Sequence, residues 1–151
     1  MQPELQHKLF KDFPLLYLSF PQFVRNGFDI GDGWFQLLYD LSEKLEPLTR
    51  KMKETGSSCF CGAIKEDHPN HNRKEPCIEF NAAYMFVQQV KEKFDLRYYV
   101  NIHTEEMGAL IEEACQKSIS ICTECGKSGH EISIRGWSHI LCEEHRHYKL
   151  Q

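Results

Sequence analysis

The chain has no uninterrupted run of about 18 apolar residues, the length a membrane-spanning helix needs, so no span is expected. Its first residues, Met1-Gln2-Pro3-Glu4-Leu5, lack the basic stretch and apolar core of a secretory signal. There is no internal repeat and no low-complexity tract. A basic stripe is missing too. The formal net charge is −4, and the most uneven segment, residues 82–121, carries 4 basic against 6 acidic groups. Counterion release from phosphates supplies most non-specific nucleic-acid affinity. So flat a charge argues against a general DNA or RNA binder, though it leaves room for a small local patch.

What is present is cysteine, in an odd number. The seven cysteines fall into two clusters, 59/61/77 and 122/125/142, with Cys115 alone, and histidines sit within or beside both clusters. In an intracellular chain this mix reads as metal binding rather than a disulfide framework. Cys115 reads as a small core residue on a helix face. With 151 residues the chain is about one domain, long enough to bury a core without disulfides.

Residues 3–13 predict a short helix, with Pro3 in its first turn and Leu5, Leu9 and Phe13 at four-residue spacing. Pro14 and Pro21 bracket an irregular buried segment or short helix. Gly27, Gly31 and Gly33, interleaved with Asp29 and Asp32, mark a turn. A long helix follows, with Asp32 as its N-cap and one apolar stripe of Trp34, Leu37, Leu38, Leu41, Leu45, Leu48 and Met52. Core packing accounts for that stripe. Pro47 is expected to kink or split the helix, and Gly56 to end it. Residues 83–90 and 96–102 are rich in strand formers, and 91–95 between them predicts a β-hairpin; a helix through 82–94 is the alternative. Thr104 caps a further helix lined by Met107, Leu110, Ile111, Ala114, Cys115 and Ile119.

The last thirty residues carry the strongest chemical signal. Cys122-x2-Cys125-Gly126, sixteen intervening residues, then Cys142-x2-His145 is the spacing of a zinc ribbon. Two cysteines two residues apart can reach one ion when the chain turns tightly, and Gly126 permits that turn. Residues 131–135 and 137–141 are the expected strands, with Gly136 as a turn or bulge. The expected ligands are Cys122, Cys125, Cys142 and His145, a closed structural set; His130 and His147 are alternatives for the fourth place. The second cluster offers Cys59, Cys61 and Cys77 with His68 or His71 for a second zinc, pinning an otherwise long polar loop. A Cys/His nucleophile pair is the weaker reading there, because no third orienting residue is identifiable. Lys91, Lys93 and Arg97, with Tyr98 or Tyr99 stacking beside them, form a small cationic and aromatic surface for a phosphate, a carboxylate or a protein partner; an ordinary hairpin with outward charges is the plainer account.

Taken together, Gly31-Asp32-Gly33-Trp34, Lys91-Glu92-Lys93-Phe94 with Leu96-Arg97-Tyr98-Tyr99, and the C-terminal metal spacing resemble a family of small uncharacterised phage and prophage proteins. Their pattern includes GDGW, KEKFG-LR-Y and a C-terminal zinc ribbon. The resemblance covers about Gly31 to His145. The chain departs from it at Asp95, where a glycine is usual, and in the Cys/His loop at 59–77. The resemblance carries no activity, but its context implies binding to host machinery, including inhibition of a bacterial defence complex such as CRISPR.

The expected architecture is therefore α+β: helices packed on a small β-hairpin, residues 1–119 forming the body with a Cys/His loop at 57–78, and a zinc ribbon at 120–151 packed on it. The expected role is a non-catalytic zinc protein that binds a host protein or nucleoprotein in the bacterial cytoplasm. Direct nucleic-acid binding through the ribbon, nucleotide binding through Lys91, Lys93 and Arg97, and metal-dependent hydrolysis are the alternatives. Oligomeric state is not encoded in any motif.

Overall fold

A computed structural model describes residues 1–17, 28–55 and 84–149. The Cys/His loop at 57–78, with Cys59, Cys61, His68, His71 and Cys77, lies outside the described residues, as do Pro21, Gly27 and Gly56. The described chain is α+β, as the patterns predict. Helix α1 spans Pro3–Asp12, and a 3-10 turn at Asp32–Trp34 leads into α2, Phe35–Thr55. Strands β1 (Val87–Lys93) and β2 (Asp95–Val100) form one antiparallel hairpin. Helix α3 follows at Glu105–Ser118. A second antiparallel hairpin, β3 (His130–Ile134) and β4 (Trp137–Leu141), then leads into helix α4, Glu143–Lys149. No helix among the described residues is long and apolar enough to cross a membrane.

The main core forms where α1 and α3 pack on α2 and β2 packs on α3. Leu9, Leu16, Trp34, Leu38, Leu45, Met85 and Leu96 are fully buried in it. Burying such side chains contributes roughly 1.5–3 kcal/mol each, which is why the apolar stripe of α2 sets its orientation. The stripe also buries polar groups. The Glu46 carboxylate accepts the backbone N–H of Leu15 at 3.2 Å and of Leu16 at 3.1 Å. These charge-assisted bonds compensate a buried charge that would otherwise be costly. Tyr17 Oη lies 2.8 Å from Ser42 Oγ and 3.3 Å from Tyr98 Oη, and burial pushes the Tyr17 phenol up to about 12.

Four local expectations change. Asp32 does not cap α2: it opens the 3-10 turn, and its Oδ1 accepts the Gln2 N–H at 2.7 Å, tying the start of α1 to this turn. Helix α2 is not split at Pro47 but runs on through it to Thr55. Pro47 and Glu43, whose carbonyl loses its partner, are both exposed, so water can replace the missing bond while the buried face holds the helix together. Ile119 is not on the packed face but forms the α3 C-cap, 42 % exposed. The β1–β2 turn is shorter than residues 91–95. Lys93 already pairs with Asp95, and Phe94 alone makes the corner at φ 70°. A bulky side chain is strained there, and the positive φ sits on Phe94 rather than on Asp95. Within 82–94 the described residues hold strand at Val87–Lys93 and no helix, so the helical alternative does not hold for them. Thr104 does cap α3, its Oγ1 accepting the Met107 N–H at 3.3 Å.

Candidate metal centre

The C-terminal unit begins where α3 ends. Cys122 N–H donates to Lys127 O at 2.8 Å and Gly126 N–H to Cys122 O at 2.9 Å, folding residues 122–127 into a tight knuckle. Gly126 takes φ 76°, a left-handed conformation that a side chain would disfavour. The β3–β4 hairpin turns at Arg135 (φ 52°) and Gly136 (φ 84°), the two-residue turn whose twist matches antiparallel strands. It returns the chain to the knuckle, where Thr123 N–H donates to Ile140 O at 2.9 Å. Cys142 follows β4 and His145 lies in the first turn of α4. The second ligand pair thus sits on a strand-to-helix junction, an element the spacing alone did not reveal.

The four expected ligands come together. One donor atom from each of Cys122, Cys125, Cys142 and His145 lies within 4.8 Å of all the others. Cys125 Sγ is 3.7 Å from Cys142 Sγ. His145 presents Nδ1, at 3.7 Å from Cys122 Sγ and 3.2 Å from Cys142 Sγ. This set can hold a metal ion. The His145 backbone N–H, donating to the Cys142 sulfur, brings that thiol down to about 6 against the opposing effect of desolvation. A sulfur that is already thiolate near neutral pH is in the form a metal takes. His130 is not part of the set. It is exposed, with Nε2 3.4 Å from Glu143 Oε1. Glu143 and Glu144 are exposed charges, and Glu144 pairs with Lys127 at 3.0 Å.

The unit has little core of its own: Cys122, Ile134, Leu141 and Cys142, with Ile132 beside them. It gains support from the body through the Gly31–Trp34 stretch. Gly33 N–H donates to Thr123 O at 2.8 Å, and the buried Trp34 indole N–H donates to Ile121 O at 2.9 Å. Both glycines are required by contact. A Cβ on Gly31 would land on the Thr123 carbonyl, and one on Gly33 would meet the backbone of Cys122, Cys125 and Gly126. The sequence marks these glycines as a turn, whereas their role is to let the metal knuckle approach the body backbone to backbone. Only the three-dimensional pairing of residues 31–34 with 121–126 could show it.

The remaining expected site residues share one face of the β1–β2 hairpin. Lys91 pairs with Arg97 and Gln89 with Tyr99 in the strand register. Lys91 Nζ lies 5.3 Å from the Tyr99 ring centre, and Arg97 Nε is 2.8 Å from Asp95 Oδ1. Two of the three cations are therefore already engaged within the hairpin. Lys93 instead borders a groove of about 600 Å³ between this hairpin and the metal-centred unit. Phe94 and Trp137 flank the groove, with Trp137 75 % exposed. Glu92 and His139 also line it. Glu92 Oε1 and His139 Nδ1 lie 3.5 Å apart, both buried, with no hydrogen-bond partner among the described residues. The two atoms face one another at ion-pair distance. Neither Glu92 nor His139 stood out in the sequence as a pair, because 47 positions separate them.

Compared with family models, with curated proteins and with solved structures, the chain matches none.

Proposed function

We propose that this chain is a non-catalytic zinc protein that binds another protein or a nucleoprotein. Zinc suits the donor set. Three thiolates and an imidazole favour it, and in a tetrahedral zinc centre the sulfurs stand about 3.8 Å apart, close to the 3.7 Å between Cys125 and Cys142. Four ligands from the chain would close the ion to substrate, which makes its role structural. A second zinc at Cys59, Cys61 and Cys77 with His68 or His71 belongs to the same proposal. The observation that carries the binding reading is Trp137, left 75 % exposed beside a groove on a metal-fixed hairpin. Large aromatic side chains held in the open on rigid supports are characteristic anchors of protein interfaces. The resemblance to phage and prophage proteins makes host machinery, including bacterial defence complexes, the class of partner and the bacterial cytoplasm the place of action.

Affinity capture from a bacterial lysate tests this reading, with the wild-type chain compared against Trp137→Ala at equal zinc content. The wild type should retain a specific protein or nucleoprotein that the variant loses. Retention of nothing specific, or equal retention by both, overturns it. Nuclease treatment of the captured material separates a protein partner from one held through nucleic acid.

A further inference from the structure

We infer that Cys125 is a site of oxidation by hydroperoxides, and that Cys142 closes the oxidised sulfur into a disulfide that replaces the ion as a cross-link. The inference rests on the zinc reading above and concerns what the ligand sulfurs can do besides hold metal. The three sulfurs of the cluster belong to residues of different access. Cys122 is fully buried and Cys142 is 7 % exposed, whereas Cys125 stands exposed on the knuckle. A sulfur bound to a metal ion is held as thiolate, the form that attacks a peroxide oxygen. Within the cluster, only Cys125 offers that thiolate on an exposed residue.

Cys142 Sγ lies 3.7 Å from Cys125 Sγ, and a disulfide needs about 2.0 Å, so one sulfur must move. The knuckle is pinned: its backbone is hydrogen-bonded within itself and to Gly33. Cys142 is the last residue before the short helix α4, whose Glu143 and Glu144 make only exposed ion pairs to the rest of the unit. That side can give. The Cys125 thiolate attacks the distal oxygen of the hydroperoxide; an S–O bond forms, the O–O bond breaks, and an alkoxide or hydroxide leaves. The Cys142 thiolate then attacks the Cys125 sulfur; the S–S bond forms and hydroxide leaves. Water supplies the two protons that neutralise these anions. The two sulfurs lose two electrons, and hydrogen peroxide becomes two water molecules. Two of the four ligands are then spent, and Cys122 with His145 is too small a set to retain the ion. The disulfide still ties the knuckle to the end of β4, so the β3–β4 hairpin stays closed. Helix α4, seven residues long, loses its metal anchor at His145 and is too short to persist alone.

The test uses the full zinc-loaded chain and hydrogen peroxide in small molar excess. Zinc content, and zinc-dependent protection of Cys122, Cys125 and Cys142 from alkylation, first establish the ion. If these residues hold no zinc, the zinc reading and this inference fall together. Peroxide should then produce a Cys125–Cys142 disulfide, located by peptide mass spectrometry, with zinc released in step with it. In the oxidised protein the amide shifts of Ser133 and Ser138 on the hairpin should stay in place, while those of Glu143–Lys149 move to disordered values. Chelation of the reduced protein should move both sets. Cys125→His keeps a ligand in place without a sulfur to oxidise, and its Cys142 should stay reduced under the same treatment. Should that variant hold no zinc, disulfide mapping in the wild type decides alone. A disulfide from Cys122 to either partner, Cys125 carried on to sulfinic acid, or zinc that survives peroxide on reduced sulfurs overturns the inference and leaves the zinc reading standing. So does loss of the hairpin shifts on oxidation, or Cys142 oxidised in zinc-loaded Cys125→His as readily as in the wild type.

Discussion

Replacing Gly33 by alanine is the most direct test of how the metal-centred unit is joined to the body. The added Cβ would meet Cys125 N at 2.7 Å and lie closer still to Cys122 O and Gly126 N, all backbone atoms of the knuckle. No rotamer change can relieve a clash with backbone, so the two units must separate by roughly 1 Å, which close-packed interiors do not tolerate freely. Two hydrogen bonds depend on the present spacing: Gly33 N–H to Thr123 O at 2.8 Å and the Trp34 indole to Ile121 O at 2.9 Å. A buried donor left without its acceptor costs about 1–3 kcal/mol, so the loss of both bonds is expected to cost about 2–6 kcal/mol. That is a large part of a stability of about 5–15 kcal/mol. In a protein of this size it corresponds to a melting point lower by about 10 °C or more. Gly136→Ala is the control. Gly136 has φ 84° but nothing within 4 Å of its added Cβ, so only backbone strain of about 1 kcal/mol is expected. Urea and thermal unfolding of both zinc-loaded variants, with metal content checked by native mass spectrometry, decide the matter. If Gly33→Ala comes within about 1 kcal/mol of Gly136→Ala, the close approach of knuckle and body is not what joins them.

Chelating the metal should melt residues 120–147 while α1, α2 and α3 persist, since the unit has so small a core of its own. Circular dichroism during zinc removal and return follows this, and an unchanged C-terminal unit in metal-free protein refutes it. Two zinc ions per chain would support the cluster at 59–77; a single one would remove it. Tyr17 makes a pH prediction. Its folded value of about 12 is raised above the ordinary 10.0, so its contribution is complete below about pH 10 and is lost as pH rises toward 12. Alkaline denaturant titrations should show that decline, and Tyr17→Phe should make it shallower without abolishing it, because burial raises Tyr98 as well. Phe94→Gly should raise the unfolding free energy in urea titrations by about 0.5–1 kcal/mol by releasing the positive φ at the hairpin corner; a lower value would mean that Phe94 packing outweighs its strain.

Much of the architecture was legible because periodicity and turn chemistry are local. The stripe from Trp34 to Met52, the Thr104 cap and the strands flanking Gly136 each declare themselves within a few residues. The metal set was legible for a similar reason: paired ligands at two-residue spacing are a local geometric requirement. What escaped depends on residues distant along the chain. Asp32 carries the chemistry of a helix cap, yet it bonds to Gln2 instead. Pro47 carries the chemistry of a break, yet its exposed position lets the packed face prevail. The Glu92–His139 contact and the seating of the knuckle on Gly31 and Gly33 arise only when two separately specified units meet.

That meeting has a consequence for the order of folding. Cys122 and His145 are 23 positions apart, whereas the Trp34 indole reaches across 87 positions to Ile121. Closing the longer loop costs about 1.2 kcal/mol more in chain entropy, before any contact repays it. With a metal ion in its four-ligand cluster, the C-terminal unit would then organise first and dock afterwards as a preformed piece. Until it docks, the Trp34 indole has no Ile121 acceptor, and the groove lacks the wall that carries Trp137. Metal loading would therefore act as a checkpoint on assembly: a chain that fails to acquire an ion keeps α1, α2 and α3 and never builds the surface it would bind with.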